Sequence, residues 1–122
     1  MREILFRGKG INDKEWRYGF YTEQQGYPYI TPDGVAMYEI DANTAGQYTG
    51  FVDKNGKKIF EGDIVCMDDW IPPCMQVAYA KGAFYLAEIE KPVKYYGDIY
   101  YLNHGGKPYA KVIGNIYDDL SY

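Results

Sequence analysis

The chain has 122 residues, 47% of them hydrophobic and 25% charged, with a formal net charge of −4. That length suits one domain or two small lobes sharing a core, and the composition excludes a disordered chain. The acidic balance argues against a partner held by phosphate neutralisation, because such binders cluster positive charge.

Neither half of the chain is a basic module. Residues 1–61 carry 8 Lys/Arg against 9 Asp/Glu, net −1, and residues 62–122 carry 5 Lys against 8 Asp/Glu, net −3. Two cysteines, Cys66 and Cys74, are fewer than a disulfide-stapled secreted scaffold uses. The opening MREILFRGKG has three consecutive apolar residues before Arg7, too short a run for a signal-peptide core. No run reaches the length of a membrane span. These readings lead to the expectation of a cytoplasmic protein with no membrane partner.

Glycine and proline interrupt the chain too often for long helices. Short β-type runs lie between them, at 3–7, 16–21, 27–30, 35–40, 50–53, 57–60, 64–67, 76–80, 83–89, 99–102 and 111–117. The 15 tyrosines favour the same reading, since an apolar ring with a wet hydroxyl suits a half-buried strand. The pattern predicts a mainly β chain, a small barrel with an additional sheet. Trp16, Tyr18 and Phe20 alternate, so they share one strand face, read as a core face in preference to a base-stacking platform. Residues 67–75, with Pro72-Pro73, read as a loop, and 91–106 as a hairpin or a mobile loop.

The stretch QYTGFVDKNGKKIFEGDIV, residues 47–65, concentrates charge, glycine and aromatics. A calcium loop starting at Asp53 would need an oxygen ligand at Lys57, a glycine at Lys58 and an acid at Ile64, so that pattern fails. A phosphate loop would need a longer glycine-rich turn leading into a helix, whereas Gly56-Lys57-Lys58 leads into a strand. The GKG at 8–10 is too short to carry phosphate chemistry. Lys54, Lys57 and Lys58 form a candidate interaction patch, with a solvated hairpin tip as the simpler reading.

The remaining residues of the stretch spell two turns. Asp53-Lys54-Asn55-Gly56 has the composition of a type I turn followed by a residue with positive φ. The runs 50–52 and 58–60 can pair across it. Glu61-Gly62-Asp63 then makes a second tight turn and delivers Ile64-Val65 as a new strand. Gly50, Asp53, Asn55, Gly56, Glu61, Gly62 and Asp63 are therefore structural motif residues. A Gly-Asp turn followed by a β-branched pair is also how small SH3-like barrels often open, a fold analogy.

Chemical candidates are sparse. Cys66, Cys74 and His104 lack the number and spacing of a structural zinc set, and no metal or cofactor is expected. The alternative is one cysteine buried as a small hydrophobe and the other in the Pro-rich loop. His104 precedes Gly105-Gly106, and such a turn orients a general base poorly, so a Cys–His nucleophile pair is not favoured. Of the acids Asp68-Asp69, Glu88, Glu90 and Asp118-Asp119, adjacent members point to opposite faces of a strand, and Glu88 and Glu90 read as a solvated edge. No catalytic constellation emerges, so an enzyme is not expected.

QYTGFVDKNGKKIFEGDIV resembles the central motif of the YopX-like family of phage and prophage proteins. REILFRGK followed by WRYGFY resembles that family's opening, and VIGNIYDD its ending, so the resemblance runs from Arg2 to Asp119. Phe51-Val52 departs from the leucine and polar residue expected there, and 67–106 carries no familiar landmark. The resemblance implies an SH3-like β-barrel in the C-terminal part, phage or prophage origin and no established reaction. The resulting expectation is a single unit with an N-terminal β-rich lobe at 1–58 and an SH3-like barrel lobe at 59–122. Its partner would be a host or phage protein, with self-association as a way to cover exposed strand edges. The alternative is a nucleic-acid-associated module, in which Arg2, Arg7, Arg17 and the lysine tip would contact phosphates.

Overall fold

The computed structural model describes residues 3–90 and 94–118. These residues form antiparallel strands and two 3₁₀ turns, with no α-helix among them. The chain divides into two compact units, Met1–Tyr48 and Thr49–Tyr122.

The first unit holds β1 (Phe6–Lys9), β2 (Trp16–Gln24), β3 (Tyr27–Thr31), β4 (Tyr38–Glu39) and the start of β5 (Gly46–Val52), in the order β4-β3-β2-β1-β5. Gln24 lies opposite Tyr27, so β2 and β3 join through the two-residue turn Gln25-Gly26. Both turn residues have positive φ, the type I′ geometry whose twist matches that of the flanking strands. Tyr21 pairs with Ile30 and Phe6 with Gly19, which puts these side chains on one face. The fully buried Ile30 and Ile40 and the Phe6–Tyr21 ring contact at 5.7 Å mark the unit's apolar side. The strand expected over 35–40 shrinks to β4, because Asp33 Oδ1 accepts bonds from the N–H groups of Val35 and Ala36 and holds that stretch as a loop.

In the second unit, the end of β5 pairs with β6 (Lys58–Phe60). A five-stranded antiparallel sheet follows, built from β7 (Asp63–Cys66), β8 (Cys74–Ala80), β9 (Ala83–Ala87), β10 (Tyr95–Asp98) and β13 (Lys111–Asn115), in the order β10-β9-β8-β7-β13. The two-residue strands β11 (Asn103–His104) and β12 (Lys107–Pro108) make a separate hairpin that begins in the stretch 91–106 and ends beyond it. Residues 91–93 of that stretch lie outside the described residues. Ile59, Val65, Met67, Met75, Val77, Leu86, Ile99, Leu102, Ala110 and Val112 form the core, with Trp70 and Tyr109 against it. Buried Gln76 is satisfied by donating from Nε2 to the carbonyls of Glu88 and Ile89.

Two expectations differ from these observations. The strand expected over 99–102 is a 3₁₀ turn. Ile99 and Leu102, three residues apart, both reach the core while Tyr100 and Tyr101 stay exposed, a spacing that one 3₁₀ turn satisfies and a strand does not. The boundary expected at 58/59 falls at 48/49, because the β5–β6 hairpin contributes Ile59 to the second core and its turn is bonded to β13. Neither unit's sheet closes on itself among the described residues.

Candidate interaction surface

The two successive turns of residues 53–63 are built locally and then anchored at a distance. The Gly56 N–H donates to the Asp53 carbonyl at 2.9 Å, and Gly56 has φ of +84°. Asp53 is 2% exposed, and its carboxylate accepts three backbone bonds. Oδ1 takes the N–H of Asn55 at 2.8 Å and of Lys57 at 2.9 Å, and Oδ2 takes the N–H of Val112 at 3.0 Å. Burial raises the Asp53 pKa, but the bonds from Val112, Lys57 and Asn55 and the nearby Lys57 charge outweigh it, leaving the carboxyl below its ordinary 3.8.

The second turn repeats the device. Asp63 is buried, and its Oδ2 accepts the Phe60 N–H at 2.8 Å. Gly62 has φ of +92°, donates to the Val77 carbonyl and accepts from the Ile116 N–H. A Cβ there would lie 2.6 Å from the Tyr117 ring, so this position needs glycine for space as well as for conformation. Gly50 lies exposed in β5 with φ of +91°, Asn55 is exposed and Glu61 is half-buried. Lys54, Lys57 and Lys58 are all exposed around the first turn, whose backbone is also held by the Lys54 N–H bond to the carbonyl of Ala110, the residue just before β13.

The cysteine reading is corrected. Cys66 and Cys74 are directly opposed in the β7–β8 pair and form a disulfide, so neither is a lone buried thiol or a loop thiol. Two strands leaving one short loop in register bring the sulfurs together, which the spacing in sequence does not show. His104 stands apart, edge-on to the Tyr109 ring at 5.2 Å. Among the described residues, no group of three or more His, Cys, Asp or Glu is placed to hold a metal ion. Asp119 lies outside the described residues, while Asp118 accepts from the Asn115 side chain and caps the end of β13.

The aromatic strand is the second correction. Trp16, Tyr18 and Phe20 share a face of β2, but it is not the core face. Phe20 is 60% exposed and Tyr18 45%, while the apolar side of the unit lies under Tyr21, Ile30 and Ile40. The misreading has a clear cause: Arg17-x-Gly19-x-Tyr21 looks polar in sequence, yet that side meets the buried isoleucines. Gln24 pairs with Tyr27 and Thr22 with Tyr29, so β3 adds Tyr27, 57% exposed, and Tyr29 to the outer face.

The arginines considered for phosphate contact are otherwise engaged. Arg7 is buried with its guanidinium 4.6 Å from the centre of the Trp16 ring, and Lys9 stands 5.8 Å from the same ring. Arg17 donates to Asp13 Oδ2 at 2.6 Å and lies 4.2 Å over the Tyr38 ring. Asp13 is held below 3.8 by the bond from the Glu15 backbone first and by Arg17 second. Arg2 lies outside the described residues. The site is therefore an outer sheet face bearing Tyr18, Phe20, Tyr27 and Tyr29.

No helix among the described residues is long and apolar enough to cross a membrane. No curated protein matches the chain. The family model described as YopX protein matches residues 5–120, nearly the whole length, and the chain belongs to that family.

Proposed function

We propose that this chain is a non-enzymatic protein-interaction module of a phage or prophage, working in the host cytoplasm, whose outer β2–β3 face docks a host or phage protein. The observation that carries this reading is the exposure of Phe20 and Tyr27 on adjacent strands. Large aromatic side chains are the residues that most often anchor protein interfaces, and a strand face presents them without ordering cost. The second unit serves as the scaffold in this reading. Its order β13-β7-β8-β9-β10, with a 3₁₀ turn after β10, supports by analogy the reading of this unit as SH3-like, and that analogy bears on fold rather than role.

The experiment is affinity capture from infected-host lysate with the wild type and with Phe20→Ser/Tyr27→Ser. The reading expects a partner retained by the wild type and lost by the double variant, with both proteins melting alike. The same protein recovered on both baits would refute it. One observation favours nucleic acid instead, since Lys9 and Arg7 share the sheet face of Trp16 and Tyr18. That alternative expects micromolar affinity for single strands, with a steep salt slope.

A further inference from the structure

The two cysteines of the Cys66–Cys74 bridge line two different cavities, with lysines lining the first and glutamates the second. Lys111 of β13, Cys66 of β7 and Cys74 of β8 are register partners in one row across three strands, so their side chains share a face. Cys66 lines a cavity of about 160 Å³ with Lys54, Asp68, Pro108, Tyr109 and Lys111, and the Asp69 carboxylate is hydrogen-bonded to the Tyr109 side chain of that wall. Cys74 lines a different cavity, about 360 Å³, with Glu88 and Glu90 and, among the described residues, no cation in its lining. Both cysteines are half-buried.

A thiolate beside lysines is stabilised, and a thiolate beside carboxylates is not. We propose that Cys66–Cys74 is a reversible thiol–disulfide exchange site for an anionic low-molecular-weight thiol of the glutathione type, with Cys66 the exchanging sulfur and Cys74 the resolving one. In the oxidising direction the Cys66 thiolate attacks one sulfur of the small disulfide RSSR. The S–S bond of RSSR breaks, RS⁻ departs and the mixed disulfide Cys66–S–SR forms. Cys74, giving up its proton to solvent, attacks the Cys66 sulfur and expels the second RS⁻. Two electrons pass from the cysteine pair to RSSR, and the reducing direction is the exact reverse. The lysines act twice: they hold the Cys66 thiolate and they attract the carboxylates of the small thiol. Closure of the bridge fastens residues 67–73, which carry Trp70 against Tyr101 at 5.2 Å. Trp70 fluorescence therefore reports the exchange.

The test mixes the reduced protein with glutathione disulfide, quenches with acid at short times and maps the adduct by mass spectrometry. The first adduct is expected on Cys66, followed by the intramolecular bridge. Cys74→Ser should accumulate the Cys66 adduct, and Cys66→Ser should form its adduct about tenfold more slowly. Lys54→Glu/Lys111→Glu should slow the Cys66 reaction about tenfold and reverse the sign of its salt dependence, with less effect on neutral hydroxyethyl disulfide. A first adduct on Cys74, equal rates in the two serine variants, or a wild-type bridge that resists millimolar reduced glutathione would each overturn the proposal. The wild-type quench needs no substitution, so it decides the assignment even where a serine variant fails to fold.

Discussion

Replacing Asp53 gives the sharpest test of how the central motif holds the second unit together. Asp53→Ala removes the acceptor of three backbone N–H groups. Asn55 and Lys57 are exposed, so water replaces the acceptor there at small cost. Val112 is buried in β13, and its N–H is left without this acceptor. An orphaned buried donor costs about 1–3 kcal/mol and the weakened turn about 1 more, so the variant should lose roughly 2–4 kcal/mol. That is a large share of the roughly 5–15 kcal/mol by which a domain is stable. Asp53→Asn is the more telling change. It keeps one oxygen for Asn55 and Lys57 but turns an NH₂ group toward the Val112 N–H, donor against donor. For a chain of this length, the loss should appear as a Tm lower by about 10 °C in thermal melts followed by circular dichroism. The pH dependence follows from the depressed pKa of the folded carboxyl. Its stabilisation is present in full well above the ordinary value of 3.8. It disappears as pH falls through the lower folded value, because protonation is favoured in the unfolded chain. Wild type should therefore lose more stability than Asp53→Asn on acidification from neutral pH. An Asp53→Asn protein melting within about 2 °C of wild type, or two parallel acid curves, would refute the reasoning.

The two turn glycines should differ in a defined order. Gly56→Val meets open space and carries only the strain of positive φ, about 1–3 kcal/mol, whereas Gly62→Val adds the collision with Tyr117 and should melt lower still. Wild-type melting of both would remove the structural reading of the motif. Lys54→Ala and Lys57→Ala, on exposed side chains, should stay within about 0.5 kcal/mol of wild type in denaturant titrations. Titration with single- and double-stranded DNA and RNA at low salt should show no micromolar binding, given a net charge of −4 and the engagement of Arg17 with Asp13. Light scattering should show a mass above 14.1 kDa at micromolar concentration, falling to the monomer in Phe20→Ser, if the aromatic face also pairs copies; a monomer at every concentration removes self-association.

Features that a few neighbouring residues can decide were legible before any fold was known. Asp53, Asn55 and Gly56 build their turn from bonds that span at most four positions, so their identities alone encode it. The same locality made most strands legible from β-branched and aromatic runs between turn residues, and it made the family resemblance visible in the motif itself. Tertiary structure decided everything that depends on a distant partner. The Asp53 bond to Val112 spans 59 positions, and no local pattern announces it. Which face of β2 is covered depends on where Ile30 and Ile40 lie, so the aromatic alternation at Trp16, Tyr18 and Phe20 pointed to the wrong side. Ile99–Leu102 has strand-like composition, yet burial at positions three apart bends it into a 3₁₀ turn. Cys66 and Cys74 meet only because β7 and β8 pair in one particular register, and Lys111 joins their row only through β13. Propensity acts within a turn or a strand, whereas burial and register are properties of surfaces that exist only once the chain has brought remote segments together.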